Sequence, residues 1–253
     1  MAKDKTVYVC SNCGQESAKW IGKCPSCGQW NTFKELRVSA DTGSQAARNA
    51  AVDMHRAMSH SGAKPMFLKD ISSQDEPRID MHDNELNRVL GGGLVRGSIV
   101  LLGGEPGIGK STLTLQTVLN MPDRRILYVS GEESAHQLKM RAMRINPDAA
   151  DNVMILCETS LEDIFKHITE VKPEFVVIDS IQTISTADVD SSPGSVTQVR
   201  ECASALLRFA KTSGVPVLLI GHINKEGTIA GPKILEHIVD TVIQFEGDNH
   251  YMY

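Results

Sequence analysis

From residue 67 onward the chain alternates two apolar patterns. Unbroken runs of Val, Ile and Leu read as buried strands, and segments with apolar residues three and four apart read as amphipathic helices. Strands are predicted over 99–102, 125–130, 153–156, 175–179, 215–220 and 241–245. Helices are predicted over 83–90, 111–121, 135–145, 161–171 and 196–211. The inward faces of three helices are Leu138, Ala142 and Ile145; Leu161, Ile164, Phe165 and Ile168; and Val199, Cys202, Ala203, Leu206 and Ala210. Ser160 with Asp163 resembles a capping box, and Pro122 ends the helix that starts at Ser111. Cys157 and Cys202 sit in apolar settings and read as core thiols. Apolar strands alternating with such helices predict an α/β fold, a mostly parallel sheet covered on both faces.

Before residue 67 the pattern fades. Residues 39–66 are rich in Ala, Ser, Asn and Gly and read as a linker, with a short helix over 45–58. His55 and His60 are five apart, the wrong step for one helix face, and read as solvated. Residues 1–38 are too short to fold on an apolar core alone, but they hold Cys10, Cys13, Cys24 and Cys27. Two Cys-x-x-Cys pairs with ten residues between them make a tetrahedral thiolate site, which suits structural zinc. A reducing cytoplasm disfavours two disulfides, and a rubredoxin-type iron centre is the chemical competitor. Four thiolates leave no open position, so the role is structural. Around the cysteines lie Lys19, Trp20, Lys23, Trp30, Lys34 and Arg37. These can serve nucleic acid by stacking and phosphate contact, but tryptophans covering the metal is the favoured reading. The expected organisation is a zinc-binding module over 1–38, a linker over 39–66 and a nucleotide-binding core over 67–253.

The strand at 99–102 runs into Gly104-Glu105-Pro106-Gly107-Ile108-Gly109-Lys110-Ser111-Thr112 and then a helix. From Gly104 to Ser111 this satisfies the phosphate-loop pattern G-x-x-x-x-G-K-[ST]. The glycines let the loop curl its N–H groups toward phosphates, and the helix N-terminus adds a favourable dipole. Lys110 reaches the β/γ-phosphates and Ser111 holds Mg²⁺. A plain glycine turn would explain the glycines but not Lys-Ser in register after them. A nucleoside triphosphate is the predicted ligand. Asp179 ends an apolar strand, where a carboxylate can complete the Mg²⁺ shell; an N-cap is the plainer alternative. Glu132, just past another strand, can orient the attacking water, with Glu133 a neighbouring contender. His222 follows Leu219-Ile220-Gly221 and can either sense the γ-phosphate or be an ordinary loop histidine.

A net charge of −5 argues against wholesale coating of nucleic acid, leaving local basic loops for any such contact. No apolar run is long enough to cross a bilayer, and Met1-Ala2-Lys3-Asp4-Lys5 has no apolar stretch behind it. A cytoplasmic location without membrane attachment is expected.

The four-cysteine module, Leu90-Gly91-Gly92-Gly93, the phosphate loop, Tyr128-Val129-Ser130-Gly131-Glu132-Glu133-Ser134 and Val177-Ile178-Asp179-Ser180-Ile181-Gln182 occur together. So do Ser191-Ser192-Pro193-Gly194-Ser195-Val196 and Ala230-Gly231-Pro232-Lys233. Across nearly its whole length the sequence resembles the bacterial RadA (Sms) family of RecA-like DNA-repair ATPases. The resemblance implies a RecA-like core that uses ATP and Mg²⁺, preceded by a Zn²⁺ module. It implies a homo-oligomer, commonly a hexameric ring, that binds single-stranded and branched DNA, promotes branch migration and works with a recombinase or helicase partner. By position Lys110 and Ser111 match the phosphate-loop residues, Asp179 the Walker-B acid and Glu132 the catalytic glutamate. Residues 183–196 and 222–233 resemble the two DNA-facing loops, with Lys225 and Lys233 supplying charge. Read as bare sequence, both are ordinary surface loops. Family members continue into a Lys-Asn-Arg-Phe-Gly motif and a domain resembling Lon protease, whereas this sequence reaches His250-Tyr251-Met252-Tyr253 before either. ATP binding is therefore expected here, while DNA-stimulated turnover, ring assembly and branch migration are expected to depend on that motif and domain. A nucleotide-controlled signalling or scaffold module without DNA dependence is the competing expectation.

Overall fold

A computed structural model describes residues 5–10, 16–17, 19–25, 30, 33–38, 67–70, 78–147, 151–222 and 235–247. The chain divides into two compact units, Met1–Met66 and Phe67–Tyr253. The predicted helix over 45–58, with His55 and His60, lies outside the described residues.

The first unit contains a three-stranded antiparallel sheet: β1 (Lys5–Cys10), β2 (Glu16–Ser17) and β3 (Phe33–Val38), in the order β2-β1-β3. β1 reads Lys-Thr-Val-Tyr-Val-Cys, and its β-branched and aromatic residues favour a pleated strand. Register runs from Lys5↔Val38 to Cys10↔Phe33. Cys24 and Phe33 are buried together with Tyr8 packed against them. Trp20 is 55% and Trp30 67% exposed.

The second unit is built on six parallel strands: β4 (Ile99–Gly104), β5 (Ile126–Ser130), β6 (Val153–Leu156), β7 (Phe175–Asp179), β8 (Val217–His222) and β9 (Thr241–Phe245). Their order is β6-β5-β7-β8-β4-β9. α1 (Asn84–Val89) precedes β4, and α2 (Lys110–Leu119), α3 (Ala135–Ile145), α4 (Leu161–Val171) and α5 (Val196–Ser213) connect successive strands from β4 to β8. β4, β5 and β7 read as near-continuous apolar runs because they are buried on both faces. Alternate residues Val100 and Leu102, Ile126 and Tyr128, Phe175 and Val177, and Leu218 and Ile220 share one core with Leu115, Val118 and Leu138 of α2 and α3. α5 packs against β4 and β8, and its Phe209 ring meets Phe165 of α4 at 5.8 Å. Asp240 fastens the lower end: it accepts from Ile99 N at 2.8 Å and pairs with Lys211 at 2.7 Å.

Two details of the sequence reading change. Cys202 is buried as expected, but Cys157 is exposed, because it lies just past the end of edge strand β6. Ser160 caps α4 by accepting from Asp163 N at 3.3 Å, yet the side chain that accepts from Ser160 N is Glu158, at 3.0 Å, and not Asp163. The reciprocal capping box is Ser134 with Gln137 at the start of α3.

Candidate active site

In a parallel sheet every strand delivers its following loop to the same edge. Here β4, β5, β7 and β8 bring residues 104–110, 130–134, 179–183 and His222 together, and the registers Gly104↔His222 and Ser130↔Asp179 set their heights. Alternation decides which side chains meet. Tyr128, Asp179 and His222 fall on the same face as the core residues Val177 and Ile220, the face covered by α2.

Between β4 and α2 the chain curls tightly. A Cβ on Gly104 would stand 2.6 Å from Phe245 O, and Gly109 at φ 109° is in a conformation that side chains resist. Ile108 N reaches Glu105 O at 3.4 Å, but the N–H groups of Gly107, Gly109 and Lys110 have no protein acceptor among the described residues. Lys110 is only 4% exposed, and its Nζ donates to Gly104 O and Glu105 O, each at 2.9 Å. Burial pulls its ammonium below the usual lysine range, opposed by the charges of Asp179 and Glu132.

Asp179 is buried at the end of β7. Tyr128, itself fully buried, donates to Asp179 Oδ2 at 2.6 Å, and the nearby Ser111 hydroxyl also favours the charged carboxylate. Burial nonetheless pushes Asp179 above the usual aspartate value, and the Glu132 charge adds to the rise. An alcohol and a carboxylate held face to face at a helix N-terminus are the hard oxygen donors that Mg²⁺ takes, so this pair fits that ion.

Glu132 and Glu133 part company. Glu133 pairs with Arg141 of α3 at 2.8 Å, and its N–H donates to Ser130 Oγ. Glu132 turns inward: its Oε1 accepts from Ser180 Oγ at 2.6 Å and lies 3.3 Å from His222 Nε2. His222 Nδ1 is 3.5 Å from Lys110 Nζ. An ammonium can only donate, so Nδ1 accepts and the Nε2 proton points at Glu132. Burial works to raise the Glu132 carboxyl, but the hydrogen bonds from Ser180 and His222 and the Lys110 charge outweigh it and hold it below the usual glutamate value.

Residues 65–228 match a family model described as an AAA domain. The chain belongs to the AAA domain family. Curated relatives that it matches are named DNA repair protein RadA. It is 48% identical to the DNA repair protein RadA of Bacillus subtilis over all of this chain and 54% of that protein. Identity is 48% to DNA repair protein RadA of Halalkalibacterium halodurans and 49% to that of Listeria monocytogenes, again over the whole chain and 54% and 53% of those proteins. The chain thus spans about half the length of the curated relatives it matches. Residues 8–35 match a family model described as a rubredoxin metal binding domain.

In this AAA-domain chain the residues singled out from sequence in the phosphate loop, Asp179, Glu132 and His222 converge on one edge. Cys10 ends β1 and Cys24 is buried, whereas Cys13 and Cys27 lie outside the described residues. So do Lys225, Lys233 and all of 222–233 except His222. The other expected DNA-facing loop, 183–196, is well tied down. Gln198 accepts from Thr186 N and its Nε2 donates to Thr186 O, Val189 O and Ser191 O, all at 2.9–3.0 Å. Glu162 accepts from Thr186 Oγ1 at 2.6 Å and from Ala187 N at 3.0 Å. Sequence reasoning missed Tyr128, Ser180, Arg141 and Gln198 as parts of this edge. For Tyr128 a signal was available: it is a phenol inside an otherwise apolar strand, and a buried hydroxyl needs a partner.

Among the described residues no helix is long and apolar enough to cross a membrane.

Proposed function

We propose that this chain is a Mg²⁺-dependent ATP hydrolase, stimulated by DNA, that serves recombinational DNA repair by binding single-stranded DNA and promoting branch migration. The observation that carries the reading is the Lys110–His222–Glu132–Ser180 hydrogen-bond chain beside the Ser111–Asp179 pair. The relatives named DNA repair protein support the biological setting.

Lys110 and the unsatisfied N–H groups of Gly107 and Gly109 hold the phosphates, and Ser111 and Asp179 hold the metal ion. Once bound, Mg²⁺ supplies neutralising charge at the phosphate oxygens. Tyr128 fixes the Asp179 carboxylate in the orientation that faces Ser111. Ser180 and His222 occupy Oε1 of Glu132, which leaves Oε2 for the attacking water. A glutamate held below its usual pKa is a weak base, so Glu132 acts mainly by orienting water rather than by driving its deprotonation. Phosphate arriving at Lys110 competes with His222 for the ammonium, which gives His222 a means of reporting nucleotide to Glu132. Cys10, Cys13, Cys24 and Cys27 hold a structural Zn²⁺ in the first unit.

One observation favours a second reading, an ATP-controlled scaffold without DNA-dependent turnover. Residues 183–196 contain Asp188 and Asp190 and no lysine or arginine, so this loop offers phosphate no cation. Steady-state ATP hydrolysis with and without single-stranded DNA at two salt concentrations decides between them. Stimulation that fades as salt rises supports the repair ATPase. Turnover indifferent to DNA supports the scaffold. Lys110→Ala should abolish nucleotide binding or turnover in either case, and unchanged activity in that variant overturns the whole mechanism.

A further inference from the structure

The first unit carries a surface that the nucleotide site does not use. Trp20 and Trp30 are 55% and 67% exposed, and Ile21 beside them is exposed too. Large aromatics are normally covered, so two on one small unit ask for a partner. They belong to one surface. The Trp20 and Trp30 rings come within 3.7–3.9 Å of the point where a side chain on Gly22 would begin. Lys23 pairs with Trp30 across a β-bridge, and its Nζ stands 5.6 Å from the Trp30 ring centre. Lys19 is exposed next to Trp20. Gly22 therefore sits as a bare floor between two indoles, with the Lys23 ammonium over one of them.

Charge indicates what this surface takes. Residues 1–38 hold six Lys and Arg against three Asp and Glu, whereas the rest of the chain holds twenty against twenty-eight. A divalent ion on four thiolates would take back two charges and still leave the unit positive. A positive unit on an acidic chain, with open aromatic faces beside its lysines, matches a polyanion whose repeating units stack. We infer that Trp20 and Trp30 form a stacking platform for single-stranded nucleic acid, with Lys19 and Lys23 meeting its phosphates. The inference rests on the DNA-binding part of the proposed function and names the surface that takes the strand. It also gives phosphate contact to a part of the molecule that has cations to offer, which loop 183–196 lacks.

The chain has two tryptophans, both on this surface, so its tryptophan emission reports on this surface alone. The full chain is titrated with a fluorescein-labelled thymidine oligomer of about twenty nucleotides, a length that spans more than one aromatic site. Anisotropy of the label reports binding anywhere on the protein, and tryptophan emission reports stacking here. The expected result is quenching that follows the anisotropy curve. Trp30→Ala should weaken binding by roughly tenfold, and Trp30→Phe, which keeps an aromatic face, should restore most of it. A rise in anisotropy with silent tryptophans puts the strand on the second unit and overturns the inference while sparing DNA binding. No rise at all overturns both. Unchanged affinity in both Trp20→Ala and Trp30→Ala also overturns it and leaves the surface to a protein partner. Because both side chains are exposed, these variants keep the fold, and unaltered nucleotide binding by each serves as the control.

Discussion

Glu132 and Glu133 stand side by side in the chain and yet do opposite things. Arg141 neutralises Glu133, while Glu132 faces Ser180, His222 and Lys110. Glu132→Gln should therefore lower the ATP turnover rate by about 10²–10³ with nucleotide affinity kept. Glu133→Gln should cost little in turnover, and single-turnover assays of both variants check the assignment. Equal losses would show that the two carboxylates share the work. Asp179 supports a prediction about stability. Burial raises its folded pKa above the ordinary value of 3.8, so in that window the folded state holds more protons than the unfolded one. Stability from this group is thus full below the ordinary value and is lost as pH rises through the raised one. At neutral pH the buried carboxylate is a liability that nucleotide-free protein carries for the sake of its metal site. Asp179→Asn should raise the melting temperature at pH 7 by about 2 °C, with the gap closing toward acid pH. The same change should remove the Mg²⁺ dependence of nucleotide binding. A lower melting temperature for the variant would contradict the sign.

Elements with an unbroken apolar pattern were legible in the sequence. Helices 135–145 and 161–171 and strands 153–156, 175–179 and 241–245 have the bounds expected from periodicity, because burial dictates which positions must be apolar. The phosphate loop was legible for another reason: all its chemistry is local, eight residues in a row. What stayed hidden depends on register between distant segments. Nothing near Arg141 says that it will meet Glu133, and Tyr128 reaches Asp179 only because β5 lies beside β7 with Tyr128 opposite Val177, two positions before Asp179. Strands β1 to β3 were missed because so short an antiparallel sheet has little apolar alternation to read. Gln198 is the sharpest case: inside an amphipathic helix it looks like a surface residue, yet it is 2% exposed and supports loop 186–191 by four hydrogen bonds. Gln198→Leu keeps the volume but takes the side-chain partner from Thr186 N, Thr186 O and Ser191 O, while Val189 O keeps Ser191 N. Stability should fall by about 2 kcal/mol. Amide exchange over 186–191 should quicken more than in α5, and protection equal to wild type in that loop would show that Glu162 alone suffices.

At the scale of the whole chain, two units divide two kinds of chemistry. The second owns every residue placed at the nucleotide: the phosphate loop, Glu132, Asp179 and His222. The first owns all four Cys-x-x-Cys thiols and both tryptophans. Its described apolar core is small, Cys24 and Phe33 with Tyr8 beside them, too little burial to offset the chain entropy of ordering this many residues. In the proposed function four thiolates hold a metal ion, whose binding energy would become folding energy, because unfolded chains rarely hold a preformed site. The core around β4, β5 and β7 has no such need, since its strands are buried on both faces. Removing zinc with a chelator that leaves Mg²⁺ in place should therefore unfold the first unit alone. Tryptophan emission should shift to the red as Trp20 and Trp30 lose the structured surface around Gly22, with about one zinc released per chain. Nucleotide affinity, followed by a fluorescent ATP analogue, should not move. If affinity falls in step with the emission shift, the nucleotide site draws on the first unit for its order, and the separation of the two chemistries is wrong. If the emission stays fixed while zinc leaves, β1 to β3 stand on their own side chains and the metal is dispensable to the fold.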